Sequence, residues 1–504
     1  LYYLAWTTTP WTLPSNLALC AGPDIEYLEV EDGDVRYLLA ADRLAAYYPK
    51  ERPRVRARLH GRDLAGRRYE PLFPYFAALA THEDGTPGAF RTFLADFVTT
   101  DDGTGIVHTA PGFGEDDNKV FKGTNVPTVC PVDAECKFTA DVGDYRGRFV
   151  KDCDKDIMER LKAEGKLAKR DQILHAYPHC WRCDHPLIYR AVSSWFVKID
   201  PIKPKFVATN QQIHWEPEHI KNGRFGKWLD GARDWAISRS RYWGNPLPIW
   251  KCPDCGKTIC IGSRDELEKR SGVRLSDLHK HFVDEVTMPC SCGATMSRIP
   301  DVLDCWFESG SMPYAQVHYP FENKEHFESH FPADFISESL DQTRGWFYSL
   351  TVLAAALFDR PAYQNCIVSG MVLAADGKKM SKSQRNYTDP MEAIDKFGAD
   401  ALRLYLMASP VLKADDLCFT DDGVRDVVKS ILLPLWSAYG FFVTYANIDG
   451  IEPGEAPIAA ANPMDRWILS KCETMVRDVG AGLEAYTMQA AIAPMLDFID
   501  ALNN

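Results

Sequence analysis

Residues 376–383, Asp-Gly-Lys-Lys-Met-Ser-Lys-Ser, set Lys378, Lys379, Lys382, Ser381 and Ser383 within six positions of an Asp-Gly turn. Ammonium groups on flexible stems, interleaved with hydroxyls, suit a polyphosphate, because they can follow negative charge as pyrophosphate departs. The same composition fits a solvated basic loop, so charge density alone leaves both readings open. A second concentration is Glu338, Asp341 and Gln342, ahead of Arg344-Gly345-Trp346. Open α/β sheets bind ligands at strand-to-helix junctions, where carboxylates can hold a ribose hydroxyl or an ammonium. An acidic helix start is equally an ordinary cap.

The third concentration is sulfur. Cys252-Pro253-Asp254-Cys255 is answered by Cys290-Ser291-Cys292, each followed by a glycine, Gly256 or Gly293. Two such knuckles make a closed, tetrahedral, structural four-cysteine zinc site. A further pair, Cys180 and Cys183, has no second cysteine pair to complete it. Ligands from outside this sequence, or His179 and His185, are the two ways to finish a site there. Fifteen cysteines, several in close pairs and with no secretory leader in front, favour metal ligation in a reducing cytoplasm over a disulfide framework.

Elements must position these groups. The apolar run Asn365 to Leu373 reads as a buried strand delivering the lysine loop, and residues 335–409 alternate strand and helix as a parallel α/β sheet does. Asp389-Pro390-Met391-Glu392 is a helix start with Asp as N-cap and Pro at the first position, and Asn462-Pro463-Met464-Asp465 repeats it. After Asn462, helical spacing puts Met464, Trp467, Ile468, Met475, Val476 and Val479 on one face. Residues 1–175 read as strand-rich, with Ile25 to Val30 and Val35 to Ala41 joined by a turn at Asp32-Gly33, and a strand at 105–109. The expected organisation is a β-rich block over 1–175, a Cys/Trp/Pro-rich connective region over 176–330, a parallel α/β region over 331–422, and a helical region from 423 to 504. At 504 residues, roughly three or four domains of ~100–200 residues are expected.

Formal charge is −13, which does not advertise a nucleic-acid binder, since phosphate binding rests on local basic density. Such density exists in the seven arginines of 52–68 and the six basic residues of 221–241. RNA contact and a solvated face are both open for each. No uninterrupted apolar run reaches the ~18–20 residues of a membrane span, so no membrane partner is expected.

The wording of these motifs identifies a family. Lys379-Met380-Ser381-Lys382-Ser383 is the KMSKS signature of class I aminoacyl-tRNA synthetases. Ser238 to Trp250, Asp304-Cys305-Trp306-Phe307-Glu308-Ser309-Gly310, Asp341 to Trp346, and Asn386-Tyr387-Thr388-Asp389-Pro390 resemble, in order and spacing, the isoleucyl-tRNA synthetase family. Trp6-Thr7-Thr8-Thr9-Pro10-Trp11-Thr12 with Asn16, and His108-Thr109-Ala110-Pro111-Gly112-Phe113-Gly114-Glu115-Asp116-Asp117, resemble that family's editing domain. One departure is Glu338-Ser339-Leu340-Asp341-Gln342-Thr343, where many bacterial members read Gly and Ser after the Glu and His after the Gln; the wording is similar to the eukaryote-type branch.

The resemblance implies a multidomain α/β protein: a β-rich editing domain, a zinc-bearing connective region, the second half of a Rossmann-like catalytic fold and the start of a helical anticodon-binding domain. It implies that Lys379, Lys382 and Ser381 handle ATP phosphates and that Glu338, Asp341 and Gln342 hold the aminoacyl-adenylate. Trp243 and Trp306 wall the aliphatic side chain's pocket. It implies ATP, Mg²⁺ and Zn²⁺ as cofactors, with L-isoleucine and tRNA(Ile) as partners of a cytoplasmic, monomeric enzyme. In the editing block, Thr7, Thr8, Thr9 and Asn16 would orient water and the terminal ribose. His108 would bond the ribose or position the water, and Asp117 would clamp the α-ammonium of the ester. No His-x-Gly-His tetrapeptide occurs in the sequence. The chain therefore reads as a piece of a longer enzyme, expected not to form adenylate alone. A valyl- or leucyl-tRNA synthetase, and a stand-alone tRNA-binding or editing module, are the alternatives.

Overall fold

The computed structural model describes residues 1–80, 88–172, 176–180, 183–381, 385–452, 454 and 461–503. It contains two compact units, Leu1–Ser193 and Ser194–Asn504.

The first unit is built on two small sheets. In one, Tyr2–Tyr3, Val35–Ala40, Glu26–Asp32 and Arg54–His60 lie side by side in that order. The turn at Asp32-Gly33 is a hairpin, with Gly33 at φ +60° and Asp32 paired to Val35. In the other, Ala18–Ala21 is the central strand, parallel to Arg91–Leu94 and antiparallel to Ile106–Thr109. Its sequence, Ala-Leu-Cys-Ala, is buried throughout, as a strand covered on both faces must be. The register sets Leu19 opposite His108 and Ala18 opposite Thr109. The threonine-rich segment enters this strand through a 3₁₀ helix, Pro10–Ser15, started by Pro10 and ended at Asn16, whose N–H donates to Leu13 O at 3.1 Å. Trp11 anchors it. Its N–H donates to Asp154 Oδ1 at 2.7 Å, and its ring meets Phe113 edge-on at 4.9 Å.

The second unit holds a parallel three-stranded sheet, Ala333–Ser339, Tyr363–Ser369 and His214–Glu216 in that order. Helix Trp346–Phe358 makes the crossover between the first two, the connection parallel strands require. Its apolar side packs with Trp215, Phe225 and Tyr363 into the largest core of the unit. The buried run expected over 365–373 is two strands, Tyr363–Ser369 and Val372–Leu373. The break is Gly370, where any Cβ would lie 1.9 Å from Asp415 O, so only glycine lets the two backbones pass. A separate four-stranded antiparallel sheet carries the 252–298 region, with strand order Thr258–Cys260, Ile249–Lys251, Thr295–Arg298, Met288–Pro289.

Helix Pro390–Phe397 starts as its sequence demands, with Met391 N–H donating to Asp389 Oδ1 at 2.8 Å. Asn462 caps helix Pro463–Glu484 in the same way, at 2.9 Å to Met464 N. Of the apolar residues spaced to share one face of that helix, Met464, Trp467 and Val476 are exposed, while Ile468, Met475 and Val479 are half-buried. The expectation of no membrane-length segment needs correction. Asp421–Asp449 runs as one helix of 29 residues whose apolar window, mean hydropathy 1.4, is long and apolar enough to cross a membrane by length and composition alone. Scattered polar residues interrupt the apolar run without lowering its average, so a count of uninterrupted residues misses it. Long bundle helices meet the same criterion.

Candidate functional site

Four of the six expected editing residues, Thr7, Thr8, Asn16 and His108, line one cavity of about 1410 Å³ in the first unit. The strand pairing makes this possible. Asn16 ends the 3₁₀ helix, and His108 lies on the strand beside the one that follows it. The imidazole is buried and both its nitrogens are engaged: Nε2 lies 3.0 Å from Thr12 Oγ1 and Nδ1 lies 2.8 Å from Asn16 Nδ2. Burial pushes its pKa down to about 4, so the ring is neutral at physiological pH. Thr9 sits behind the cavity wall. Its Oγ1 is 3.4 Å from Thr7 Oγ1 and 3.2 Å from Thr12 Oγ1, and its N–H donates to Thr7 Oγ1 at 3.1 Å.

Asp117 lies in the first turn of the short helix Glu115–Val120 and is not part of the cavity lining. Ala110 N–H donates to its Oδ2 at 2.8 Å, two residues beyond His108. Burial raises its pKa, the Ala110 N–H pulls it back, and Asp116 raises it again. A carboxylate held above its ordinary range is relieved by a cation, so the position suits an ammonium ligand.

In the second unit the strand-end residues are placed at the carboxyl edge of the parallel sheet. Glu338 pairs with Val368 near the end of Ala333–Ser339, and Asp341 and Gln342 follow in a 3₁₀ turn, Leu340–Arg344. Ser339 hydroxyl donates to Asp341 Oδ1. Gln342 Oε1 accepts from Trp346 N–H at 3.0 Å and so caps the crossover helix. The ring of Trp306 closes over the same turn. A Cβ at Gly345 would sit 3.0 Å from its Cη2 and 2.6 Å from Gln342 Oε1. Trp243 is 72 % exposed, and its segment is tied to the helix of Trp306 by Asn245 N–H donating to Glu308 Oε1 at 2.9 Å. Thr343 is buried. It accepts from Arg224 Nε at 3.2 Å and donates to Leu340 O at 2.8 Å.

The lysine loop leaves Val372–Leu373 through a tight turn in which Ala374 N–H donates to Lys378 O at 2.9 Å. Asn386 staples its far side. Its Oδ1 accepts from Ser381 N–H at 2.8 Å and its Nδ2 donates to Lys379 O at 3.1 Å. Lys379 also pairs with Leu373 in an isolated antiparallel bridge, and Asn386 adds a side-chain hold on Lys379 and Ser381; Lys382 lies outside the described residues.

Cys252, Cys255, Cys290 and Cys292 bring four Sγ atoms within 4.8 Å of one another. Tetrahedral Zn–S arms of ~2.3 Å put sulfurs ~3.8 Å apart, so the donor set and spacing fit zinc. Gly256 and Gly293 turn the knuckles at φ +71° and +92°. The Cys292 N–H, opposed by burial and helped by the neighbouring thiols, holds the Cys290 thiol well below the ordinary thiol range. Among the described residues no third ligand joins Cys180 and Cys183. Of the histidines proposed to complete that site, His179 Nδ1 is bonded to Asp184 O and His185 Nδ1 to Cys183 O.

A family model for class I tRNA synthetases (I, L, M and V) matches residues 6–417. The chain belongs to that family. It is 64% identical over 528 aligned residues to the isoleucine–tRNA ligase of Treponema denticola and 58% over 521 to that of Treponema pallidum, in both cases along its whole length. It is 52% identical over 504 residues, 99% of the chain, to the isoleucine–tRNA ligase of Chlamydia muridarum. In each case the match is 48% of the relative, so the chain spans about half the length of the curated relatives it matches.

For a class I synthetase the basic patches are less informative than their composition suggests. Arg56, Arg58 and Arg62 are paired with Glu31, Glu26 and Asp24 at 2.7–3.0 Å. Arg239 meets Asp304 at 3.2 Å and Lys221 Nζ donates to Gln211 O at 2.7 Å. Arg67, whose Nε donates to Asp63 O at 2.8 Å, and Arg68 line the cavity of the first unit. Next to them Tyr69 reaches Asn16, a contact no motif announces, because Tyr69 lies in irregular chain between strands.

Proposed function

We propose that the chain is the editing and KMSKS-bearing part of an isoleucine–tRNA ligase. The observation that carries this reading is 64% identity to such a ligase across all of the chain. In the whole protein, isoleucine is activated with ATP and transferred to tRNA(Ile), and mischarged valine is hydrolysed. Lys379, Lys382 and Ser381 would hold the phosphates, with Mg²⁺ neutralising their charge. Glu338, Asp341 and Gln342 would hold the adenylate, and Trp243 and Trp306 would flank the side chain. The four-cysteine knuckle pair would hold a structural zinc, which supplies folding energy and no chemistry.

Editing is needed because one methylene in an apolar pocket is worth only ~1–3 kcal/mol; isoleucine against valine is the usual illustration of that limit. The cavity of Thr7, Thr8, Asn16 and His108 supports a second, hydrolytic site. Arg67 and Arg68 on its lining suit the phosphates of a tRNA 3′ end, and Asp117 suits the α-ammonium. A neutral His108 with both nitrogens bonded inside the protein is not free to take a proton from water. Its work is to hold the threonine hydroxyls in place, and the attacking water's proton goes to the departing ribose oxygen by way of solvent or the tRNA's neighbouring hydroxyl.

Amino-acid-dependent ATP–pyrophosphate exchange by the full-length protein tests the assignment. Isoleucine should give the highest kcat/KM. A higher value with leucine, or with valine, would assign the chain to a sister enzyme.

A further inference from the structure

The hydrogen bonds around His108 form a chain whose polarity can be read from one end. Tyr69 Oη donates to Asn16 Oδ1 at 2.5 Å. With its oxygen so engaged, the Asn16 amide presents its two N–H groups inward, to Ala18 O at 2.8 Å and to His108 Nδ1 at 2.8 Å. An amide N–H cannot accept, so Nδ1 is the acceptor and the neutral ring carries its proton on Nε2. That proton goes to Thr12 Oγ1 at 3.0 Å. Thr12 hydroxyl, already an acceptor, gives its own proton to Thr9 O at 2.8 Å, and accepts again from Thr9 Oγ1 at 3.2 Å. Thr9 Oγ1 in turn accepts from Thr7 at the cavity.

We infer that Tyr69 is a positioning residue of the hydrolytic site, fixing through Asn16 the Nε2–H tautomer of His108 and so the direction of the Thr12–Thr9–Thr7 hydroxyl chain. The inference rests on the editing reading given above. Tyr69 itself touches no reacting atom in this scheme. Its ring is held independently, edge-on to Phe90 at 6.0 Å and to Tyr3 at 6.3 Å, so the hydroxyl can be removed without unseating the side chain. Thr12, Asn16 and His108 are all buried, so the hydrogen bonds that orient them are made inside the protein.

Two variants test it in the 504-residue chain and in the full-length protein. Tyr69→Phe removes the donor to Asn16 Oδ1 and leaves the amide oriented only by its N–H to Ala18 O. Asn16→Asp removes every amide donor, so a carboxylate facing Nδ1 requires the proton to move there. Nitrogen-15 NMR of labelled histidine reports which ring nitrogen of His108 is protonated. The expected result is Nε2–H in the parent, a mixture or loss of that signal in Tyr69→Phe, and Nδ1–H in Asn16→Asp. Deacylation of valyl-tRNA(Ile) by Tyr69→Phe should fall in kcat by roughly 10- to 100-fold with KM unchanged. An Nδ1–H parent, or an unaltered tautomer in both variants, overturns the inference whatever the activity. A shifted tautomer with parental kcat overturns the positioning role. A parent with the expected tautomer but no hydrolysis of valyl-tRNA overturns the editing reading, and the role of Tyr69 with it.

Discussion

His108 shows how a residue type named by sequence can acquire a different task from its surroundings. Burial holds its pKa at about 4, against an ordinary value of 6.5. The unfolded chain therefore binds a proton that the folded chain refuses between pH 6.5 and 4. Stability falls as pH falls through that window, by about 3 kcal/mol over its whole width. His108→Gln should show a flatter loss between pH 7 and 4.5 in urea denaturation. A parent and variant with parallel pH dependence would mean the imidazole is not buried neutral. Asp117, raised by burial, acts with the opposite sign but is common to both proteins. Of Thr7, Thr8, Thr9, Asn16, His108 and Asp117, picked out from the sequence by type and order, the structure brings Thr7, Thr8, Asn16 and His108 to one cavity and leaves Thr9 and Asp117 off its lining. What was not legible is partnership: that Thr12 and Asn16 occupy both nitrogens of His108, and that Tyr69 lies behind them. The His108 contacts depend on strand register between segments about 90 residues apart, and Tyr69 reaches Asn16 from irregular chain, so no local pattern encodes either.

Among elements, those with strong local signals were readable and those set by long-range contact were not. Asp389 and Asn462 cap helices where an Asp-Pro or Asn-Pro start is written, and the Asp32-Gly33 hairpin sits where its turn residues stand. The split of the 363–373 run was hidden because it is imposed by the backbone of Asp415, forty-five residues on. The parallel sheet owes its rigidity to the aromatic core beneath it, in which Trp215 meets Phe225, Phe347 and Tyr363 at ring-centre distances of 4.8, 5.8 and 6.1 Å. Trp215→Ala should cost about 3–5 kcal/mol in urea denaturation of the second unit. A cost below about 1 kcal/mol would show that this core does not support the sheet edge carrying Glu338 and Asp341. The zinc knuckles belong to the same scale. Their sheet is small, and its apolar cluster around Trp250 includes two of the thiols, Cys252 and Cys290. Metal analysis should find one zinc per chain, lost in Cys292→Ser with a lowered Tm. A metal-free parent of unchanged Tm would leave the four sulfurs as mere neighbours.

At the scale of the whole molecule, two units carry two kinds of chemistry. The first holds hydroxyls and a neutral imidazole at a cavity, with the Asp117 carboxylate off its lining and bonded to Ala110 N–H. The second holds the lysine loop that follows Val372–Leu373 and a sheet edge lined with polar groups. On the proposed function, one unit would serve formation of an ester and the other hydrolysis of the wrong ester, each site shaped for a different side chain. On the proposed function the wrong ester is broken in the first unit. The most direct test of that claim is hydrolysis of valyl-tRNA(Ile) and isoleucyl-tRNA(Ile) by the full-length protein, beside an Asp117→Ala version. The parent should hydrolyse the valyl ester and spare the isoleucyl ester, and the variant should lose hydrolysis of the valyl ester by about 100-fold or more. Equal hydrolysis of the valyl ester by parent and variant would contradict the ammonium site at Asp117, and a parent that spares both esters would contradict the editing function itself.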